Sequence, residues 1–370
     1  MKPFNTFLSV LSILIFASLC AVAQDSTWVA RRLVGYYTSW SKDQTPPYTS
    51  AQIPYQKLTH IEHAFVLLQA GSTGELAIPP GMIEPALIRR AHAAGVKVLA
   101  SIGGGDGIQG PRFNKMSYSE SSRQTFISNV QNLLTTYGYD GVDIDWEVPN
   151  ADDREDCTLL MQELRNALPS PWLISMAVTA DPRNYGTGFD IPALAPLVDF
   201  FNVMTYDYYG TWSGATGLVS PLLQDPADPQ QAGSVKTSMD LYEYQYGVPL
   251  GQLNIGTPFY GYEWDGVDTN WTSCSTCASS SQNYGTYIKQ RINQQGWTLE
   301  YDTAAQAPYL TNTATPGFIT YEGVFSTEHK IRYVKQRGFG GVFMWELSAD
   351  YDGTSQDLMD AMYKAWTAAK

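Results

Sequence analysis

Short apolar segments alternate with amphipathic patterns along most of this chain. Eight segments are rich in β-branched and aromatic residues and are six to eight residues long, which favours strands over helices. They cover residues 32–37, 59–66, 96–103, 141–147, 172–179, 200–206, 253–260 and 341–347. The stretches between them carry helical spacing, most clearly at about 82–94, after Ser117, and at about 153–168.

The helix after Ser117 has the strongest local signals. Ser117 and Glu120 have the spacing of a capping box, so Ser117 is the expected N-cap. One apolar stripe follows, formed by Phe126, Ile127, Val130, Leu133, Leu134 and Tyr137. Gly138 then marks the expected end of the helix.

Eight strands with intervening helices predict an α/β fold, a (β/α)8 TIM barrel. A doubly wound sheet is the alternative, although no Gly-rich phosphate loop follows the first strand. Residues of about 262–317, between the seventh and the last strand, are too many for a simple crossover and contain a helix-like and an extended stretch. They predict a small α+β insertion within one domain that covers residues 24–370.

Composition and the first residues indicate a secreted protein. A net charge of -13 without a basic run argues against nucleic acid as a partner. Lys2, an apolar run over 7–20 and the small-residue site at 21–23 predict a signal peptide over residues 1–23. A membrane anchor is the alternative, but the run is short for a stable span. We expect a secreted monomer that has no membrane partner.

Three cysteines remain after the expected signal peptide. Cys157 is in helical register with Leu160 and Leu164, which predicts a buried free thiol. Cys274 and Cys277 form C-x-x-C in a Ser-rich loop, without the further ligands of a zinc site or the flanking elements of a thioredoxin-like site. A loop disulfide is the preferred reading, with free thiols as the alternative.

The stretch YDGVDIDWEVP at 139–149 places acids within an apolar strand. Alternation puts Asp143, Asp145 and Glu147 on one face and the apolar residues between them on the other. In a barrel the apolar face meets the helices, so the acids point inward and at least one should hold a proton at neutral pH. Glu147 is nearest the C-terminal end of the strand, where barrel active sites lie.

Other roles for these acids are open at this point. A cation site, the D-x-D metal site of a glycosyltransferase and a purely structural acidic network are the alternatives. An EF-hand is excluded, because its loop needs Gly at the sixth position and Val148 stands there.

The segment DGVDIDWE resembles the D-x-x-D-x-D-x-E signature of glycoside hydrolase family 18, the chitinases. Four further segments resemble strand motifs of the same family in the same order: SIGG at 101–104, MTYD at 204–207, GTPFYG at 256–261 and GGVFMWELSAD at 340–350. The resemblance covers nearly the whole chain after the signal peptide, and the insertion is also a feature of the family.

The resemblance implies a single acid/base and a nucleophile from the substrate's own N-acetyl group. Glu147 would protonate the glycosidic oxygen and later activate water. Asp145 would hydrogen-bond the acetamido N–H and stabilise the oxazolinium ion, and Asp143 would share a proton with Asp145. Asp140 has the opposite parity and is expected to fix the start of the strand.

The same resemblance assigns a pocket around these acids. Tyr206 would hold the acetamido carbonyl, Asp207 would bind the sugar or the acetamido group, and Trp345 would form an apolar floor. Further members of the implied pocket are Met204, Tyr260, Phe65, Tyr36 and Ser101. The last two are implied partners of Asp143.

This chain departs from the family pattern at three positions. Gly105 stands where many relatives carry an aromatic residue, and Val148 stands where many carry Tyr. Tyr262 stands where many carry Arg, so a contact to the sugar at that position is either lost or supplied elsewhere.

The resemblance implies a secreted, retaining chitinase that cleaves β-1,4 bonds between N-acetylglucosamine units and needs no cofactor or metal. Chitin and N-acetylglucosamine oligomers are the implied partners. The alternatives are an endo-β-N-acetylglucosaminidase acting on N-glycans and a chitin-binding lectin of the same fold. The retained Glu147 argues against the lectin.

Overall fold

The computed structural model describes residues 32–71, 73–292 and 294–368. In this part of the chain the strands are β1 Arg32–Thr38, β2 His60–Leu68, β3 Leu76–Ala77, β4 Lys97–Gly103, β5 Gly141–Asp145, β6 Leu173–Thr179, β7 Phe200–Met204, β8 Leu253–Pro258, β9 Tyr260–Asp265, β10 Ser279–Asn283, β11 Thr298–Asp302, β12 Ala307–Asn312, β13 Gly317–Tyr321 and β14 Gly341–Trp345. The expected signal peptide lies outside the described residues.

Parallel strands close into a barrel. They pair in the order β1-β14-β8-β7-β6-β5-β4-β2, and β2 returns to pair with β1. Each of the eight predicted segments supplies one of these strands, so the (β/α)8 fold is confirmed. An open, doubly wound sheet is excluded by the closing pair of β1 and β2.

Helices follow most of the barrel strands. They are α1 Pro85–Ala93, α2 Gln109–Ser117, α3 Glu120–Tyr137, α4 Arg154–Ala167, α5 Ile191–Leu194, α6 Val235–Asp240, α7 Lys289–Ile292, α8 Val324–Arg337 and α9 Asp357–Thr367. No helix in the described ranges has the length and apolar character needed to cross a membrane.

The N-cap predicted for α3 is wrong by two residues. Ser119 caps the helix, because its backbone is extended and its hydroxyl accepts a hydrogen bond from the Ser122 N–H at 3.1 Å. Ser117 is instead the last residue of α2, and its hydroxyl donates to the Asn114 carbonyl. The predicted end is confirmed, since Gly138 adopts the left-handed conformation at φ 78°.

Alternation along β5 divides its side chains between two environments. Val142, Ile144 and Trp146 pack into the core between barrel and helices, where the ring of Trp146 stacks on that of Phe113 at 5.2 Å. The acidic side chains of the same segment point into the barrel, as predicted.

The insertion is a five-stranded antiparallel sheet with the order β10-β9-β13-β12-β11. A helical turn over 284–292 packs beside it. The sheet runs from Tyr260 to Tyr321, so it extends beyond the expected 262–317 at both ends. Tyr260 therefore does not end a barrel strand. It begins β9, where it pairs with Asn283.

The cysteines behave as the sequence predicts. Cys274 and Cys277 form a disulfide in the loop that leads to β10. Cys157 is a free thiol buried on the inner face of α4 together with Leu160 and Leu164.

Asp140 ties the start of β5 to its neighbours. Its carboxylate accepts hydrogen bonds from the Val98 N–H at 2.9 Å and from Lys97 Nζ at 2.7 Å, and it contacts His92 Nε2 at 2.8 Å. Burial acts to raise the pKa of Asp140, but these contacts outweigh it and hold the pKa below its usual value. This geometry agrees with the expected structural role.

Asp140→Asn should lower the free energy of unfolding at pH 7 by about 1 kcal/mol, a value reduced for the partial exposure of the site. A lowered folded-state pKa stabilises the fold above the unfolded pKa of about 4, and this stability is lost as the pH falls further. The free energies of unfolding of variant and wild type, measured with denaturant, should therefore become more similar below about pH 4. Glu300→Gln, at an exposed carboxylate of β11, is the control. An equal loss of unfolding free energy in Asp140→Asn and Glu300→Gln would contradict the structural role of Asp140.

Candidate active site

A cleft of about 1420 Å³ opens at the C-terminal ends of the barrel strands. The predicted site residues meet there: Tyr36, Phe65, Asp145, Glu147, Met204, Tyr206, Asp207, Tyr260 and Trp345 all line it. Ser101 and Asp143 are the remaining two, and they lie directly beneath its floor on β4 and β5. The closed barrel therefore brings together residues that are more than 300 positions apart in the chain.

Asp143 is fully buried and is held by hydroxyl groups. Tyr36 and Ser101 donate to Oδ2 at 2.9 and 2.7 Å, as the resemblance implied. Ser175 of β6 donates to Oδ1 at 2.7 Å, a contact that the sequence analysis did not identify. Burial raises the pKa of Asp143, and these three hydrogen bonds act in the opposite direction.

Asp145 and Glu147 are neighbouring carboxyl groups that interact directly. Burial first, then the charges of Glu147 and Asp143, raise the pKa of Asp145 well above its ordinary value. Two carboxyl groups in such contact share one proton near neutral pH. The resemblance implied that Asp143 shares a proton with Asp145, and Asp143 accepts from hydroxyl groups at both of its oxygens.

Glu147 is the carboxyl group whose proton affinity suits neutral pH. Burial, and next the negative charge of Asp207, raise its pKa to about 7. Glycine at 105 makes room for this side chain, since a Cβ there would lie 2.8 Å from Glu147 Oε2. Val148 packs against the core between barrel and helices.

Asp207 is held by two phenol groups. Tyr260 and Tyr262 both donate to Oδ1, at 2.6 and 3.0 Å. Burial raises the pKa of Asp207 to about 6, although both hydrogen bonds act to lower it. Tyr262, at the position where many relatives carry Arg, therefore contacts the Asp207 carboxylate directly.

Trp345 forms an aromatic floor with its neighbours. Its ring stacks on Phe65 at 5.6 Å and meets Tyr36 edge-on at 5.3 Å. Two more tryptophans, Trp40 and Trp212, line the cleft with 44% and 61% of their surface exposed. Flat apolar faces with polar groups beside them suit the stacking of sugar rings.

One acid inside the barrel escaped the sequence analysis. Glu62 on β2 lies inside the barrel at zero exposure and accepts hydrogen bonds from Asn202. The alternation rule that located Asp143 could have found it, because Glu62 interrupts an apolar strand between Ile61 and His63.

Comparison with known proteins agrees with this geometry. Chitinase A1 of Niallia circulans is 26% identical over 89% of this chain and 58% of its own length, and a probable endochitinase of Caenorhabditis elegans is 30% identical over 85% and 55%. The chain thus spans little more than half of these relatives. The structure of the Ostrinia furnacalis Group II chitinase catalytic domain 2 with penta-N-acetylchitooctaose superposes with a TM-score of 0.82, at 26% identity over 91% of this chain and 96% of that one. The sequence model of Glycosyl hydrolases family 18 matches residues 32–350, and the chain belongs to this family.

Proposed function

We propose that this protein is a retaining chitinase that cleaves β-1,4 bonds between N-acetylglucosamine units with Glu147 as general acid/base. The observation that carries the proposal is the Asp143–Asp145–Glu147 series, which ends in a carboxyl group of pKa about 7 beside an aromatic cleft floor. An acid with this pKa is partly protonated at neutral pH, so it can donate a proton and take one back.

The spacing of the carboxyl groups supports assistance by the substrate. Retaining enzymes that use two carboxylates hold them about 5 Å apart on opposite sides of the sugar. Asp145 and Glu147 lie on one face of the same segment and interact directly, so they do not face each other across a sugar. Asp145 is instead well placed to orient the N-acetyl group of the substrate, whose carbonyl oxygen then serves as the nucleophile.

Tyr206 and Asp207 complete the proposed acetamido site. Within the described residues the Tyr206 hydroxyl makes no hydrogen bond, and its ring lines the cleft, so it is available to donate to an acetamido carbonyl. Asp207 presents a second oxygen beside the one that Tyr260 and Tyr262 occupy. Asp143 keeps its position below Asp145 through Tyr36 and Ser101.

The surroundings of the site support chitin as the substrate. Trp345 and Phe65 offer a flat surface on which a sugar ring can stack, and Met204 adds to the apolar lining. The names of the relatives, chitinase and endochitinase, and the oligosaccharide in the Ostrinia furnacalis structure agree with this assignment. The signal peptide predicted at residues 1–23 supports action outside the cell.

Glu147→Gln should reduce kcat on N-acetylglucosamine hexamer by about 10²–10⁴-fold, because general acid/base catalysis contributes about that much. Binding of the hexamer, measured by calorimetry, should change only a few-fold, since the amide keeps the shape of the side chain. Asp43→Asn, at an exposed carboxylate that lines the same cleft, is the control for loss of negative charge. Full activity of Glu147→Gln would remove this residue from the proposed role.

Hydrolysis of the hexamer should release the β-anomer first, because participation of the N-acetyl group retains configuration. Proton NMR of the first minutes of the reaction measures the anomeric ratio before mutarotation. An α-product would rule out acetamido participation. Release of N-glycans from a glycoprotein without cleavage of the hexamer would instead favour an endo-β-N-acetylglucosaminidase.

Tyr262→Phe should move the alkaline limb of the kcat/KM profile to lower pH by about half a unit to one unit. Loss of the hydroxyl raises the pKa of Asp207 from about 6 toward 7, so this group becomes more neutral and repels the Glu147 carboxylate less. The pKa of Glu147 then falls below about 7, and its acidic form is lost earlier as the pH rises.

Tyr185→Phe is the matched control for this experiment. Its ring lines the same cleft, and its hydroxyl forms no hydrogen bond to Asp207. An alkaline limb that stays in place or moves to higher pH in Tyr262→Phe would show that Asp207 does not set the proton affinity of Glu147.

A further inference from the structure

A fourth carboxyl group lies inside the barrel below the series of three. In the register of the barrel sheet, Glu62 lies beside Leu99, and Leu99 lies beside Gly141. Asp143 is two positions after Gly141, so Glu62 lies one layer of inward-pointing side chains below Asp143. Its side chain has no exposed surface. The mechanism proposed above assigns it no task.

Asn202 and Ser175 hold Glu62 by hydrogen bonds, and the Tyr36 hydroxyl interacts with it as well. The Asn202 amide nitrogen lies 2.8 Å from both carboxyl oxygens. The orientation of this amide is fixed, since the Asn202 carbonyl oxygen accepts from Asn254 Nδ2 at 2.9 Å. The Ser175 hydroxyl lies 3.1 Å from Glu62 Oε1 and 2.7 Å from Asp143 Oδ1.

The Ser175 hydroxyl has one hydrogen and stands between two carboxyl groups. If it donates to Asp143, the closer of the two, its oxygen faces Glu62 as an acceptor. That contact is a hydrogen bond only when Glu62 carries a proton. With both groups ionised, one carboxylate would face the Ser175 oxygen with no hydrogen between them. Both contacts of the Ser175 hydroxyl are hydrogen bonds when Glu62 is protonated and Asp143 is ionised.

The groups around Glu62 favour this distribution of charge. Five titratable side chains surround Glu62. They are Tyr36 on β1, His60 on β2, Asp143 and Asp145 on β5, and Tyr206 just after β7. Burial lowers the pKa of His60 to about 4, so His60 is neutral at pH 7. Arg32 joins the network two amides away, through Asn254. Burial first, and then repulsion from Asp143, raise the pKa of Glu62 well above its ordinary value, although contacts with Tyr36, Asn202 and Ser175 act to lower it.

We propose that Glu62 is a positioning residue that holds a proton at neutral pH, donates a hydrogen bond to Ser175, and so directs the Ser175 hydroxyl to Asp143 and keeps Asp143 ionised. Asp143 then repels any negative charge on Asp145, which favours a proton on the Asp145–Glu147 pair. The kinetic part of the test rests on the proposed function, while the spectroscopic part does not.

Infrared difference spectroscopy of the full chain at pH 7 tests the proton directly. The difference between wild type and Glu62→Gln should show the loss of a protonated carboxyl C=O band. The loss of an ionised carboxylate band instead would overturn the proposal. This result is independent of any enzymatic activity.

The acidic limb of the kcat/KM profile tests the effect on Asp143. Ser175→Ala removes a direct donor, which raises the pKa of Asp143 and should move this limb to higher pH by about one unit. Glu62→Leu should move it in the same direction by less, because the Ser175 hydroxyl is no longer oriented. The double variant should move no further than Ser175→Ala alone, since both changes act through one hydrogen bond.

Glu62→Gln should move the acidic limb less than Glu62→Leu does, whatever its kcat, because the amide can donate to Ser175 in place of the acid. An ionised Glu62 predicts the opposite sign: its replacement by Gln would remove a negative charge and move the limb to lower pH.

Leu99→Val, beside Glu62 in the same layer, is the packing control and should leave the limb in place. A limb unmoved by Glu62→Leu, or additive shifts in the double variant, would contradict the coupling. A wild type that hydrolyses no oligosaccharide would instead contradict the proposed function and leave the infrared result standing.

Discussion

The burial of several carboxyl groups at the centre of a closed barrel is the constraint on which this structure depends. An isolated buried charge costs far more than a folded domain can supply, so such groups must be paired, hydrogen-bonded or neutral. Here hydroxyl donors to Asp143 and raised pKa values of Asp145 and Glu147 act in that direction. Asp143 has three hydroxyl donors, while Asp145 and Glu147 contact each other. Because the donors sit on β1, β4 and β6, the charge of Asp143 depends on closure of the barrel.

One strand of the barrel serves both the core and the site. On β5 the outward side chains Val142 and Ile144 pack against the helices, and they are as fully buried as Asp143 on the opposite face. A rotation of the strand that exposed the acids would also expose this apolar surface. The packing therefore fixes the direction in which the carboxyl groups point. Asp140 fixes the register of β5 against β4, because it accepts hydrogen bonds from Lys97 and Val98 of β4.

The sequence predicted the features that depend on local pattern and missed those that depend on tertiary contacts. Period-two alternation located Asp143 and Glu147 correctly, because burial of the opposite face is a local property of the strand. The N-cap of α3 was misplaced, since Ser117 and Ser119 both have suitable spacing and only the length of α2 decides between them. Tyr260 continues an apolar run, but the pattern carries no sign that its partner is Asn283 of the insertion.

The departures at 105 and 262 are parts of one electrostatic arrangement. Glycine at 105 allows the Glu147 carboxyl to lie against the β4 loop, which adds to its burial. A phenol at 262 in place of a cation leaves Asp207 with hydrogen bonds but no compensating positive charge. Asp207 in turn raises the pKa of Glu147, so a change at position 262 acts on the proton of the candidate acid. A guanidinium group at 262 would stabilise the Asp207 charge and screen it from Glu147. The neutral side chain found here therefore favours a protonated Glu147 at a higher pH than the family's usual arginine would.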